Sequence, residues 1–277
     1  MFDALQSLAG LEGVDTSAIT VLVVDNDETD ALRSRMEKFA RDFPLRIRYV
    51  HAPAKNISIA RNAALDGAET RWISFMDDDE VASPNWIAEL LSVRDDATAV
   101  IGRCDAVYGS GLPNWIERCD FHSTRIDGNP ANGYAGNALL DVAFLQDRQI
   151  RFKIELGRTG GEDTVFFRQI AEAGGRIVYN PAAVVYEPVP PARASMKWVL
   201  RRKYRAGQTH GLVCREFHPA AYSRLAVTAA AKTAVSAAMA LVTIPGSVAS
   251  RKWFARASLH AGALHYRIKP ALLEEYG

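Results

Sequence analysis

The chain has 277 residues, of which 48% are hydrophobic and 23% charged, and its formal net charge is +1. This length allows one large or two small domains with a real core, and the near-neutral charge excludes a global argument for nucleic-acid binding. The three cysteines, Cys104, Cys119 and Cys214, have no metal-like spacing, which indicates a reduced, cytosolic compartment. The first eleven residues lack the basic start and continuous apolar core of a signal peptide.

The first part of the chain alternates strand and helix patterns. After an amphipathic helix at 2–11, apolar runs predict strands at 19–24, 45–50 and 72–76, separated by helices at 30–41 and 56–67. This rhythm predicts an α/β fold with a mostly parallel sheet flanked by helices. The run at 19–24 is continuously apolar, which predicts a buried strand. Ser83 and Pro84 are expected to cap and open the next helix.

The following segments are less regular. The patterns predict a strand at 97–108, irregular structure at 109–135 and a strand-to-helix transition at 136–144. A Gly-Gly pair at 160–161 precedes a predicted helix from Thr164 to Ala173, and residues 176–179 form one more predicted strand.

Three consecutive carboxylates, Asp77, Asp78 and Asp79, end the predicted strand at 72–76. Open α/β sheets bind ligands at the carboxyl ends of their strands. Like charges packed there need a cation or strong donors, and hard oxygen ligands suit Mg²⁺ or Mn²⁺. From these residues alone, a solvated acidic turn that caps the next helix is the alternative.

The chain changes character near residue 190. Residues 193–205 carry six basic side chains and no acid: Arg193, Lys197, Arg201, Arg202, Lys203 and Arg205. Residues 220–250 are Ala-rich and apolar, and the uncharged run 233–250 lies at the lower edge of membrane-spanning length. Two interpretations stay open: a monotopic contact with an anionic membrane face, or a solvated basic helix followed by a core helix.

Four short motifs follow one another along the chain: Val23-Val24-Asp25-Asn26, Ile59-Ala60-Arg61-Asn62, Phe75-Met76-Asp77-Asp78-Asp79-Glu80 and Gly160-Gly161-Glu162-Asp163. In this order and spacing they resemble the motifs of family 2 glycosyltransferases, inverting enzymes of the GT-A fold. Segments 186–191 and 202–208 are more specifically similar to bacterial exopolysaccharide transferases of the succinoglycan type. The resemblance covers about residues 1 to 210, and the ordered set carries it.

The resemblance implies transfer of a sugar from a nucleotide-sugar donor, UDP-linked, to a growing, lipid-linked glycan in bacterial exopolysaccharide or cell-surface polysaccharide synthesis. A diphosphate leaving group calls for a divalent cation, Mg²⁺ or Mn²⁺. Asp79, with Asp77 as partner, is the implied metal site, to which Glu187 and His210 are further candidates. Displacement with inversion also needs a carboxylate that deprotonates the acceptor hydroxyl.

The resemblance assigns these remaining roles residue by residue. Asp163 is the implied catalytic base, and Glu162 holds the acceptor or orients Asp163. Arg61 would pair with the base or diphosphate of the donor. The other implied donor-binding residues are Asp25, Asn26, Asp77, Asp78 and Gly161.

We expect residues 1–190 to form the nucleotide-sugar-binding and catalytic domain. Residues 191–277 would form a helical, basic and apolar extension, peripheral at the inner, cytoplasmic face of the plasma membrane. The family's first strand is absent from this sequence, so we expect a misassigned start or a truncation that removes, from beside the strand ending at Asp25, the ladder partner that this first strand would supply. The alternative function is a non-catalytic sugar-nucleotide-binding or membrane-assembly partner, inactive for that reason.

Overall fold

The computed structural model describes residues 1–126 and 133–274, which form two compact units. The first, named the sheet unit, contains Met1–Asp105 and the described residues of Ser123–Glu187. Ala106–His122 and Pro188–Glu274 make up the second, named the helical unit. Residues 127–132 of the predicted irregular stretch and residues 275–277 of the predicted C-terminal extension lie outside the described residues.

The strands are β1 (Thr20–Asp25), β2 (Arg46–His51), β3 (Trp72–Met76), β4 (Val81–Ala82), β5 (Ala99–Val107), β6 (Asn137–Asp141) and β7 (Ile177–Pro188). The helices are α1 (Phe2–Leu8), α2 (Arg33–Arg41), α3 (Ile57–Asp66), α4 (Trp86–Ser92), α5 (Asn114–Cys119), α6 (Val142–Asp147), α7 (Glu162–Glu172), α8 (Met196–Phe217), α9 (Pro219–Val242) and α10 (Val248–Ile268). Short 3₁₀ turns lie at Thr16–Ala18, Ile154–Leu156 and Pro191–Arg193.

Local sequence signals fix α3 and β3 well. The side chain of Asn56 caps α3 by accepting a hydrogen bond from the Ile59 amide at 3.2 Å, and Gly67 follows the last residue of the helix. The apolar run at 72–76 forms β3 over the predicted residues. Both predictions are therefore confirmed, and they place α3 and the acidic end of β3 in the sheet unit.

Several neighbouring strands run antiparallel, which differs from the predicted parallel sheet. β1 pairs with β2 in parallel, as predicted, but β6 runs antiparallel to β3 and β5, and β4 runs antiparallel to β7. The sheet order of the second group is β3-β6-β5-β7-β4. The α/β class is confirmed, whereas the sheet is mixed rather than mostly parallel. Two neighbouring strands can run parallel only if a crossover connection, usually a helix packed on the sheet, joins them. The segment between β5 and β6 is not such a crossover, and these two strands pair antiparallel.

β1 is less buried than its sequence predicts. Its residues are half-buried, apart from the exposed Thr20. Among the described residues β1 forms a ladder with β2 alone, and β3 with β6 alone. Each strand therefore has an open edge, and the earlier strand expected beside Asp25 stays a prediction.

Tertiary pairing moves several other boundaries. β4 pairs with β7 through Val81 and Ala82, so α4 begins at Trp86 with Asn85 as its N-cap, not at Ser83 and Pro84. A helix, α5, lies within the stretch predicted to be irregular. β7 runs for 12 residues, far beyond the four predicted, because it also borders β4.

The core of the sheet unit is built from large apolar side chains. Phe152 and Phe166 stack with ring centroids 3.9 Å apart, and Phe167 meets Phe166 edge-on at 5.6 Å. Ile101 and Leu140, from neighbouring strands, belong to the same cluster, and all five side chains are buried. Burying a side chain of this size stabilises a fold by about 1.5–3 kcal/mol relative to leaving it exposed, so this cluster anchors α7 on the sheet.

The helical unit packs differently, because glycines let α8 and α10 approach closely. A Cβ atom on Gly207 would lie 1.8 Å from the Leu259 carbonyl oxygen, and one on Gly262 would lie 1.8 Å from that of Tyr204. Gly211, one turn after Gly207, faces the ring of Tyr266. The two helices thus meet backbone to backbone through small residues.

Candidate active site

Arg61 joins three of the four sequence motifs. From α3, its Nη1 donates a hydrogen bond to Glu162 Oε1 at 2.6 Å and its Nη2 donates to Asp77 Oδ1 at 3.2 Å. Arg61 and Glu162 are buried, and Asp77 is half-buried at the end of β3. The Ala-Arg-Asn helix, the acidic strand end and the first turn of α7 therefore meet at one guanidinium.

This ion-pair network is strongly coupled. Burial alone disfavours the charged guanidinium, but neighbouring carboxylates outweigh it and raise the pKa of Arg61 above its usual value. Those carboxylates belong, in order of effect, to Asp77, Glu162 and Asp163. Removing one partner of such a buried network leaves an uncompensated charge, which is costly. Arg61 therefore fixes the positions of the acidic groups around it.

The buried side chain of Glu80 holds the acidic turn after β3 in place through hydrogen bonds. Asp78 and Asp79 are exposed, whereas Glu80 is completely buried. Glu80 Oε2 accepts a hydrogen bond from the Asp77 amide at 3.0 Å, and Glu80 Oε1 accepts one from the Tyr134 hydroxyl. Burial, followed by the Asp77 carboxylate, raises the pKa of Glu80 well above its usual value. The sequence places Glu80 in the motif without revealing this anchoring role, and no local signal identifies Tyr134.

Glu187, predicted as a further metal ligand, lies in a second cluster with Glu80 and Cys104. The potential ligand atoms of these three residues lie within 4.8 Å of one another, and Cys104 Sγ is 3.8 Å from Glu187 Oε2. Burial raises the pKa of the Cys104 thiol, which keeps it protonated. A protonated thiol is a poor ligand for Mg²⁺ or Mn²⁺, so the exposed acidic turn fits such an ion better. His210, the other further candidate, lies on α8 in the helical unit, with Nε2 3.6 Å from Cys214 Sγ.

The start of α7 depends on glycine. Gly160 and Gly161 have φ angles of 74° and 85°, and Gly161 is the N-cap of the helix. Glycine adopts such angles without the steric cost that other residues meet. Asp163 is half-buried in the first helical turn, where the helix dipole favours a carboxylate, and Glu162 is 5% exposed beside Arg61.

The predicted donor-binding pair at the end of β1 is held by its own neighbours. Asp25 Oδ2 accepts a hydrogen bond from the Tyr49 hydroxyl at 2.6 Å, and Oδ1 accepts one from the Asp27 amide at 3.0 Å. Burial, together with the bond to Asp25, raises the pKa of Tyr49 to about 12. The Asn26 carbonyl accepts from the Lys55 amide at 2.9 Å. Asp25 is therefore a fixed acceptor, which suits recognition of a base or ribose.

The acidic turn has the donor set that a hard divalent cation requires. Asp77, Asp78 and Asp79 offer carboxylate oxygens at the carboxyl end of a strand, two of these side chains being exposed. Asp77 Oδ1 is engaged by Arg61, so a cation would meet Asp77 through Oδ2. These residues fit Mg²⁺ or Mn²⁺, and both Asp78 and Asp79 are exposed.

Solved structures resemble this architecture along its length. Staphylococcus aureus TarS 1–349, determined with UDP-GlcNAc, aligns over 100% of this chain and 93% of its own, with a TM-score of 0.54 and 15% identity. GalNAc-T7, determined with UDP, GalNAc and Mn²⁺, aligns over 90% of this chain and 50% of its own, with a TM-score of 0.52 and 12% identity. These likenesses show the fold, which is the GT-A fold.

Sequence comparison gives the family. The family model for glycosyl transferase family 2 matches residues 3–147. The succinoglycan biosynthesis protein ExoM of Rhizobium meliloti (strain 1021) is 39% identical over 99% of this chain and 91% of its own length. A glucosyl-dolichyl phosphate glucuronosyltransferase of Haloferax volcanii is 23% identical over 68% of this chain and 64% of its own. The chain belongs to glycosyltransferase family 2 and is a glycosyltransferase.

Proposed function

We propose that this glycosyltransferase moves a sugar from a UDP-linked donor to a lipid-linked glycan, with inversion, in bacterial exopolysaccharide synthesis. The observation that carries the proposal is the Arg61 bridge between Asp77 and Glu162, because it joins a donor-side acidic turn to the start of α7. The name of the relative ExoM supports the pathway, and the ligand named for TarS supports a UDP-linked donor.

Asp163 is the residue that accepts the proton of the acceptor hydroxyl in this proposal. It lies next to Glu162, yet only Asp163 is accessible enough to meet a substrate. Glu162 is buried, and its Oε1 accepts a hydrogen bond from Arg61. In this proposal Glu162 is therefore a positioning residue that fixes the first turn of α7. Two neighbouring carboxylates thus have different roles because their surroundings differ.

The donor would lie along the strand ends. Asp25 and Asn26 would meet the base or ribose, and Gly161 would allow the sugar close to the backbone. Asp79 and Asp77 would hold Mg²⁺ or Mn²⁺, with Asp78 close to the donor. When bound, the cation neutralises charge that develops on the diphosphate leaving group. Arg61 keeps Asp77 oriented toward the donor instead of contacting it directly.

The remaining parts of the proposal concern location. Residues 1–190 would carry donor binding and catalysis, and residues 191–277 would hold the enzyme at the cytoplasmic face of the membrane, close to a lipid-linked acceptor. The basic character of residues 193–205 supports this assignment, because anionic headgroups attract Lys and Arg.

Calorimetric titration with UDP, with and without Mn²⁺, tests the donor site first. We expect Mn²⁺-dependent binding that Asp79→Ala abolishes and Asp95→Ala leaves intact. Asp95 is a suitable control because its side chain is 93% exposed and it follows the C-terminal end of α4, whereas the acidic turn precedes the helix. A folded protein that binds no UDP under either condition contradicts the UDP-linked donor.

Turnover then separates an enzyme from a binding protein. Donor hydrolysis or transfer to lipid-linked glycan acceptors supports the proposal. Mn²⁺-dependent UDP binding without any turnover of UDP-sugars, with acceptors supplied, favours the alternative of a non-catalytic sugar-nucleotide-binding protein.

A further inference from the structure

The outer face of α9 is apolar. Val227, Val235, Leu241 and Val242 are 60% to 76% exposed, and Ile244, just past the helix, is 79% exposed. Between Val227 and Val242 this face holds otherwise mostly alanine, and Lys232 is the single charged residue in that part of the helix. A soluble protein rarely leaves such a continuous apolar face in water, so this surface has a partner.

The inward face of α9 is built mostly from small residues. Its buried residues are Leu225, Ala229, Ser236 and Ala240. In water the hydrophobic effect favours the reverse arrangement, with Val and Leu inside and Ala and Ser outside. Large apolar residues outside and small residues at helix contacts are typical of helices packed in lipid. The glycine contacts of α8 with α10 follow the same rule.

Charge identifies what kind of apolar medium this is. Residues 188–273 contain fourteen Lys or Arg residues and one carboxylate, Glu216. Lys252 and Arg256 are exposed on α10 shortly after the turn that follows α9. A basic surface beside an apolar face matches an anionic bilayer, in which headgroups attract the cations and acyl chains meet the apolar residues. A protein partner would not require this excess of positive charge.

The helix pair also indicates how α9 meets the bilayer. α9 has 24 residues and is long and apolar enough, by length and composition, to cross a membrane. However, Lys232 is exposed near the middle of α9, and α10, which packs along α9, carries Arg256 well inside its length. If α9 spanned, these charges would enter the hydrocarbon core, which is costly. The pair is therefore suited to lie in the plane of the interface.

We propose that the outer face of α9, together with the turn at Ile244, lies at the boundary between headgroups and acyl chains of an anionic bilayer without spanning it. Membrane contact is part of the proposed function, and this inference adds the surface and the depth. It rests on the helical unit, so its test measures lipid contact and not turnover. UDP binding to the sheet unit can therefore fail or succeed independently.

Fluorescence from single introduced cysteines tests this arrangement in the full chain. The native cysteines are all buried, so an environment-sensitive label will react with Cys introduced at Val227, Val235 or Leu241. Ile154→Cys is the matched control, because Ile154 is apolar and 55% exposed on the sheet unit. With vesicles of phosphatidylcholine and phosphatidylglycerol, we expect blue-shifted emission at the three α9 sites and none at the control.

Depth-dependent quenching separates an in-plane helix from a spanning one. Val227 and Leu241 are about 21 Å apart along the helix axis, at 1.5 Å per residue. An in-plane helix gives similar depths at all three sites. A label at Val235 that lies about 10 Å deeper than both others shows a spanning helix and overturns the proposal, as does the absence of any blue shift.

A second experiment uses unlabelled protein. Replacing both Leu241 and Val242 by Asp should lower co-sedimentation with the same vesicles by about tenfold or more, because charges then face the acyl chains. Ile154→Asp should bind as the unaltered chain does. Equal binding by both variants, with both still folded by circular dichroism, would overturn the proposal.

Discussion

The two units of this glycosyltransferase use their apolar residues in opposite ways. In the sheet unit, Phe152, Phe166 and Phe167 are buried against one another. In the helical unit, α9 buries Ala229, Ser236 and Ala240 along with Leu225, while Val227, Val235, Leu241 and Val242 face outward. This contrast supports the proposal that lipid lies beside the outer face of α9, because water favours apolar side chains inside a protein whereas lipid allows them to face outward.

Charge divides in the same way. The acidic turn at the end of β3 lies in the sheet unit, where carboxylates meet at Arg61. Residues 188–273 hold a single carboxylate among fourteen basic side chains. The overall charge of +1 conceals this separation, which suggests a division between catalysis and attachment.

The largest expected effect tests whether the chemistry belongs to the sheet unit. Asp163→Asn should lower kcat by about 10²–10⁴-fold, because a general base contributes that much, while UDP affinity is unchanged. Steady-state transfer assays and UDP titration measure the two quantities. Glu216→Gln, at the lone carboxylate of residues 188–273, should keep full kcat. Retention of more than a tenth of the turnover by Asp163→Asn would place the base elsewhere.

Stability should respond strongly where charge is buried. Arg61→Met should lower the free energy of unfolding by about 3–5 kcal/mol, because it strands the buried Glu162 carboxylate. Arg151→Met is the matched control, since Arg151 pairs with Asp66 at an exposed site and should cost at most about 1 kcal/mol. Urea unfolding of both variants gives the comparison. Equal losses would mean that the Arg61 network carries no special stability.

In the helical unit, close backbone contact between α8 and α10 contributes to stability. Gly207→Ala should cost about 1–3 kcal/mol, because the added methyl group forces α8 and α10 apart. Gly111→Ala should be nearly neutral, since a Cβ atom there would meet no atom within 4 Å. Thermal unfolding in detergent measures both. If Gly207→Ala is as stable as Gly111→Ala, α8 and α10 have room between them for the added methyl group.

The smallest expected effect concerns the outward face of α9. Leu241→Ala should change the free energy of unfolding by less than about 0.5 kcal/mol, because the side chain is 76% exposed. Phe166→Ala, in the buried cluster of the sheet unit, should cost about 3–5 kcal/mol. Chemical denaturation without lipid measures this contrast. A large loss at Leu241 would show that its side chain is covered by protein.

Local signals predicted the elements around the candidate site. Asn56 and Gly67 bound α3 because their caps act within one turn, and β3 follows a short apolar run with polar residues after it. The glycines before α7 were expected to allow close backbone approach, and their positive φ angles meet a real conformational need. Spacing alone was sufficient for these features.

Features that depend on distant partners could not be predicted. Arg61 pairs with Asp77 and Glu162, and no local signal indicates these contacts because both partners come from other parts of the chain. Val81 and Ala82 became a strand only through pairing with β7. Glu80 is buried beneath its own acidic neighbours, where Tyr134 reaches it. Each outcome reflects tertiary contacts that override local preference.

The Arg61 bridge also constrains when the site can form. Glu162 follows Arg61 by 101 residues, whereas Asp77 follows it by 16. Closing the longer loop costs conformational entropy before the contact returns any free energy, so distant contacts form slowly. A chain that has formed α3 and β3 still lacks the first turn of α7. Enzymatic turnover during refolding should therefore appear late, together with the completed native structure.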